Sequence, residues 1–236
     1  MRKPICFAFL LWLLMADLAT AGEYKLVLGK GIEVCEAFLK NLNSFPNDPP
    51  MVCERKINPK FPEFSTPTWQ PLDAQEHLAL IEEIERWKPY ETGFDDPIQR
   101  EKMLAQITAR IKDGVIRLTV TDLDIDEDGV AETVLKYEYA DCDPANESQF
   151  AGMSGRSFYV LAAEKMTLDK GKSENFSMRI RGDIFLFKKH TYITVWSGNL
   201  GFKDGLLSVY RPFSLIGHEP GRCDYRYKAS KTRRQP

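Results

Sequence analysis

Histidine is scarce in this chain: His77, His190 and His218 are the three, and none stands in an HExxH or HxH spacing. That leaves no pattern for a zinc site. Cysteine is sparse too. Five are present, without a CxxC or CxxH pair among them, which argues against a thiolate metal centre. An excess of charge of one sign is also missing: 32 Lys and Arg face 34 Asp and Glu, a formal net charge of −2. Such a chain lacks the general attraction for phosphate on which nucleic-acid binding rests, so nucleic acid is excluded as a partner class. No complete nucleophile elbow occurs. In Gly152-Met153-Ser154-Gly155 the following residue is Arg156, where GxSxG needs glycine, and the stretch reads as a loop before a strand starting at Ser157. No internal repeat calls for a solenoid or propeller.

Long apolar runs are equally few, and the clearest lies at the start. Arg2 and Lys3 precede the apolar stretch Ile5 to Met15, and Ala19-Thr20-Ala21 offers a small-x-small cleavage site. This is the layout of a secretory signal peptide over residues 1–21, with an uncut membrane anchor as the alternative; the stretch is short for a bilayer span. The expected product begins at Gly22 or its neighbour, is periplasmic or secreted, and keeps no stable membrane anchor. Cleavage removes Cys6 and leaves Cys35, Cys53, Cys142 and Cys223. An even number in an exported chain reads as two disulfides, for which three pairings exist. Cys35–Cys53 with Cys142–Cys223 is favoured, because each bridge then staples its own half.

What is present divides into a helical first part, 22–113, and a strand-rich second part, 114–228, ahead of a basic tail, 229–236. In the first part, Gly31 to Asn43 places Ile32, Cys35, Phe38, Leu39 and Leu42 on one helical face. Half of the 14 prolines then fall between Pro46 and Pro71. Proline has no N–H to donate, so this segment cannot be regular helix or central strand. Phe45, Phe61, Phe64 and Trp69 interrupt it, which favours an ordered wrap over a loose linker. Asp73 with Glu76 caps a helix striped by Leu80, Ile81, Ile84 and Trp87, and Asp96-Pro97 caps another that ends at Gly114. Glu82, Glu83 and Glu85 read as a solvated helix face.

From Val115 the period becomes two: Ile116, Leu118 and Val120, then Leu135, Tyr137 and Tyr139. SFYVLAAE, DIFLFKK, TYITVWSG, GLLSVYRP and CDYRYK follow as short strands between turn-rich pieces. Their aromatics, among them Tyr192, Trp196, Tyr210, Tyr225 and Tyr227, read mainly as core, with a binding face as the alternative. The expected fold is α+β: N-terminal helices packed on a C-terminal, mainly antiparallel sheet, in a single domain.

The sharpest local feature is TDLDIDEDGVAETVLKY, Thr121 to Tyr137. Asp124, Asp126 and Asp128 alternate, Gly129 follows at once, and Glu132 comes four residues after Asp128. Alternate residues in a tight loop can turn their carboxylates to one point, and glycine permits the sharp turn. DIDEDGVAETVL resembles the D-x-[DN]-x-D-G-x-x-[DE] calcium loop of FG-GAP and VCBS-type repeats, and the first half of an EF-hand loop. The resemblance implies Asp124, Asp126, Asp128 and Glu132 as side-chain ligands and Val130 as a main-chain carbonyl ligand of one Ca²⁺. The EF-hand's twelfth position falls on Leu135, which cannot ligate, and FG-GAP propellers carry many copies where this chain has one. The likeness therefore carries a metal site and no fold. The rest, including GKGIEVCEAFLKNLNSF and CDYRYK, resembles uncharacterised exported bacterial proteins, which implies no activity.

With no complete catalytic constellation, the expected function is that of a binding or accessory module with a structural Ca²⁺, directed at an envelope or extracellular protein or polysaccharide. The alternative is a calcium-dependent hydrolase of envelope or extracellular polymers, with Asp122 or Glu127 placed by the metal loop.

Overall fold

Alternating side chains decide the architecture, because strand after strand is buried on both faces. The computed structural model describes residues 23–45, 55–87, 94–139, 156–162, 166–176, 182–198, 204–212 and 222–228. Along them run β1 (Glu23–Leu28), α1 (Glu33–Asn43), β2 (Phe64–Ser65), β3 (Gln70–Leu72), α2 (Leu78–Trp87), α3 (Pro97–Lys112), β4 (Arg117–Leu123) and β5 (Glu132–Glu138). They continue with β6 (Arg156–Leu161), α4 (Lys170–Phe176), β7 (Gly182–Phe187), β8 (His190–Gly198), β9 (Asp204–Tyr210) and β10 (Cys223–Lys228). The strands form a six-stranded sheet, β1-β10-β9-β8-β7-β2, and a four-stranded sheet, β3-β4-β5-β6, with every pairing antiparallel.

This overturns the expectation of N-terminal helices resting on one C-terminal sheet. Strands dominate the described residues, the helices are few and short, and the first part of the chain supplies β1, β2 and β3 to both sheets. The reason is edge chemistry. Within the proline-rich segment, β2 and β3 are two and three residues long and each closes the edge of a sheet. There Pro71 costs no ladder hydrogen bond that a central strand would need.

Three apolar clusters follow from the period of two. Phe185 and Phe187 of β7, Tyr192 and Trp196 of β8, Leu207 and Val209 of β9 and Tyr225 of β10 join Val34, Cys35, Phe38 and Leu42 of α1. The alternate residues of the same strands, Ile184, Ile193 and Tyr210, join Leu123, Val134, Phe158, Val160 and Phe176 in a second cluster that links the two sheets. A third gathers Leu118, Leu135, Tyr137, Tyr159 and Leu161 with Leu80, Ile81 and Ile84 of α2 and Ile107 of α3. All six residues of β6 are buried, as a strand with cluster on both faces requires. Tyr192, Trp196, Tyr210 and Tyr225 are thus core residues.

Asp96 caps α3 as expected, whereas Asp73 closes a turn ahead of α2, which starts only at Leu78. Asp96 accepts the Ile98 N–H at 2.9 Å with Pro97 in the first turn, and Asp73 accepts the N–H groups of Gln75 and Glu76. The glutamates of α2 are more than a solvated face. Glu85 is buried and accepts the Tyr137 hydroxyl at 2.6 Å, Glu83 accepts the Leu168 N–H, and Glu82 pairs with Arg86 and Arg100.

Cys35 is bonded to Cys223, 188 residues away in sequence, in place of the two local bridges expected. The register explains it. β10 lies between β1 and β9, with Leu28 opposite Asp224, so the C-terminal strand brings Cys223 under α1. Gly29 leaves room for this: its φ is +95°, and a Cβ there would lie 2.5 Å from Cys35 Sγ and 2.9 Å from the Arg222 carbonyl. Cys53 and Cys142 lie outside the described residues, as do the leader 1–21, the basic tail and Gly152 to Gly155. Among the described residues no helix is long and apolar enough to cross a membrane.

Candidate metal centre

The acidic stretch forms the turn between β4 and β5, closed by the pair Leu123 and Glu132. Local geometry shapes it. Gly129 takes φ +87°, and Glu127 takes φ +63° in spite of its side chain. Asp124 Oδ2 accepts the Gly129 N–H at 3.1 Å, and Asp128 Oδ1 accepts the Val130 N–H at 2.8 Å. Ile125, 1% exposed, points the other way and plugs the loop into the cluster between the sheets. With Ile125 inward, its neighbours Asp124 and Asp126 are turned to the same side, as the alternation requires.

Carboxylate oxygens of Asp124, Asp126 and Asp128 lie within 4.8 Å of one another, a group that could hold a metal ion. Two of these carboxylates are incompletely satisfied. Asp124 Oδ1 and Asp126 Oδ1 are buried atoms without a hydrogen-bond partner in the protein; the only other such side-chain atom among the described residues is Thr119 Oγ1. A buried carboxylate oxygen left unpaired costs about 1–3 kcal/mol or more. Mutual repulsion of two such charges adds up to about 4 kcal/mol at an effective dielectric near 20. Both penalties concentrate in one place, and a cation there removes both. An all-oxygen donor set suits a hard ion.

The other two expected ligands sit differently. Glu132, buried at the first position of β5, uses Oε2 to accept the Ile125 N–H at 3.1 Å, and Oε1 accepts from the Lys172 ammonium. Val130, expected to offer its carbonyl, is exposed at the outer edge of the turn, with its N–H donated to Asp128 Oδ1.

Lys172, on α4, is the residue at this turn that sequence reasoning missed. Its Nζ also donates to Asp126 Oδ2 at 2.9 Å. Hydrogen bonds to Glu132 and Asp126 hold this ammonium above the ordinary lysine range. The same contact, outweighing burial, holds Asp126 below the usual carboxylate range. No sequence signal could find Lys172, because it lies 46 residues from Asp126 on a seven-residue helix without an apolar period.

A second set of contacts ties the turn to the six-stranded sheet. Glu127 accepts from Arg211 at 2.9 Å and pairs with His190 at 2.7 Å, and the Thr191 hydroxyl donates to the Asp124 carbonyl at 3.1 Å. Arg211 also donates to the Tyr192 hydroxyl. Asp122, the other carboxylate considered for chemistry, accepts the Thr133 hydroxyl across the β4–β5 ladder. His77 lies in the turn just before α2, against the Asp73 carbonyl, and His218 lies outside the described residues. No protein-family model, curated protein or solved structure matches the chain.

Proposed function

We propose that this chain is an exported, disulfide-bonded binding or accessory module in which the β4–β5 turn holds one structural Ca²⁺. The observation that carries the reading is the pair of buried, unpartnered oxygens on Asp124 and Asp126 beside Asp128. Calcium is favoured over magnesium because a loop carboxylate set tolerates its looser geometry, whereas magnesium demands a tight octahedron and keeps its waters. The likeness of DIDEDGVAETVL to FG-GAP and VCBS-type calcium loops supports the same ion.

Its role would be mechanical. The turn belongs to the four-stranded sheet, yet Ile125, Asp124 and Glu127 all engage residues of the six-stranded sheet. An ion that fixes the turn therefore fixes how one sheet meets the other. Export is supported by the N-terminal signal-like layout and by the Cys35–Cys223 bridge, which suits an oxidising compartment. The partner class is an envelope or extracellular protein or polysaccharide. Isothermal titration of the intact protein with calcium chloride tests the ion: heat that fits one site, saturates at millimolar calcium and vanishes in Asp126→Ala is expected. A wild type that gives no heat removes the site.

A further inference from the structure

The position of Lys172 gives the proposed cation site a competitor of its own, and the inference rests on the calcium reading above. We propose that the Lys172 ammonium is a tethered counter-ion that occupies the Asp126–Glu132 side of the acidic turn and is displaced from Asp126 by the bound divalent cation, so that Lys172 sets the affinity of the site.

Three observations lead there. Lys172 Nζ contacts Asp126 Oδ2 at 2.9 Å, and Asp126 is also one of the three carboxylates that converge. A divalent ion taken up by the unpartnered Asp126 Oδ1 would stand a few Å from the ammonium on Oδ2, and at an intermediate dielectric two like charges that close repel by several kcal/mol. Next, the ammonium also holds Glu132 Oε1 while Glu132 Oε2 is fixed by the Ile125 N–H. As long as Lys172 stays, Glu132 is directed to the lysine; once it leaves, Oε1 becomes available as a fourth carboxylate oxygen. Finally, α4 itself is anchored. The Ser173 hydroxyl both accepts the Val160 N–H and donates to the Val160 carbonyl, and Phe176 is buried in the cluster between the sheets. Exchange is thus confined to one flexible side chain, which is a third exposed, and needs no movement of the helix.

A free ion must then outcompete an ammonium whose local concentration is fixed by the fold. Such a site fills only at the high calcium of extracellular fluids, and one substitution should tighten it.

Calcium titration calorimetry on the whole oxidised chain and on Lys172→Met is the test, with circular dichroism confirming the fold of each. Lys172→Met should bind at least tenfold tighter than wild type, Lys172→Arg should stay within threefold of wild type, and Asp126→Asn added to Lys172→Met should abolish the gain. Heat in Lys172→Met with none in wild type overturns the inference, because the native turn then takes up no calcium. Equal affinities in wild type and Lys172→Met overturn the inference and leave the calcium site standing; no heat in either folded protein overturns both. A readout on wild type alone guards against a variant that fails to fold. Reductive methylation of Lys172, followed by mass spectrometry, should speed up threefold or more on saturation with calcium, and an unchanged rate contradicts displacement.

Discussion

Cys35 in α1 and Cys223 in β10 are covalently joined, and the hydroxyl of Tyr225, two residues beyond Cys223, donates to the Cys35 carbonyl at 2.9 Å. Helix and strand are therefore locked twice at one point, where the N-terminal and C-terminal strands pair. Closing so long a loop restricts the unfolded chain by roughly 5 kcal/mol in the chain-entropy account, of which about 2–5 kcal/mol is usually realised. Cys35→Ser should lower the unfolding free energy by that smaller amount in non-reducing urea titrations. Peptide mapping of the oxidised protein should recover Cys35 linked to Cys223.

Glu127 and Arg211 are the outer clasp between the turn and the six-stranded sheet. Both are more than a third exposed or close to it, so solvent screens the pair and its worth is small. Arg211→Ala should cost about 0.5–1 kcal/mol in thermal melts in low salt, and the loss should shrink as salt is raised.

Gly129 has a sharper effect. At φ +87° no Cβ is sterically welcome on the backbone, yet nothing lies within 4 Å of where one would stand. The cost of Gly129→Ala is then conformational alone, roughly 1–2 kcal/mol. Melting in the presence of a chelator should show this loss, and calorimetry should show weaker calcium binding, because the turn that converges the carboxylates is the one being strained.

Between α2 and α3, the Arg100 hydrogen bonds to Glu82 hold that carboxyl below the usual range. A folded value beneath the unfolded one of about 4.3 means stability that is fully present above that pH and is lost as pH falls through the folded value. Glu82→Gln should cost up to about 1 kcal/mol at pH 7. The difference from wild type should vanish in urea titrations near pH 2.

How far the chain could be read in advance depended on where each residue's partners lie. The turn at Asp73, the cap at Asp96 and the strands of the second half were legible because their signals are local. DIFLFKK and TYITVWSG alternate so that one set of aromatics faces α1 and the other set of side chains faces the second sheet. β1 gave almost no signal, since only Tyr24 of its six residues is buried, and β2 and β3 are too short to show a period. The helical reading of the first half was incomplete for that reason: α1, α2 and α3 form there, but three edge strands lie among them. The pairing expected within each half does not form, because β10 returns to β1 and brings Cys223 to Cys35. At the acidic turn, the spacing of Asp124, Asp126 and Asp128 revealed their convergence, but the partners of Glu132 and Glu127 come from α4, β8 and the residue after β9.

Linkage sets the size of the expected calcium effect on stability. At free calcium tenfold above the dissociation constant, binding to the folded state alone adds roughly 1.4 kcal/mol, and chelation should remove it.

The most direct measurement is a crystal of the protein grown with calcium, with anomalous scattering recorded for the ion. The account predicts one anomalous peak about 2.3–2.6 Å from oxygens of Asp124, Asp126 and Asp128, with Lys172 withdrawn from Asp126. Carboxylates surrounded only by water, with Lys172 still seated on Asp126 and no peak at millimolar calcium, would contradict it.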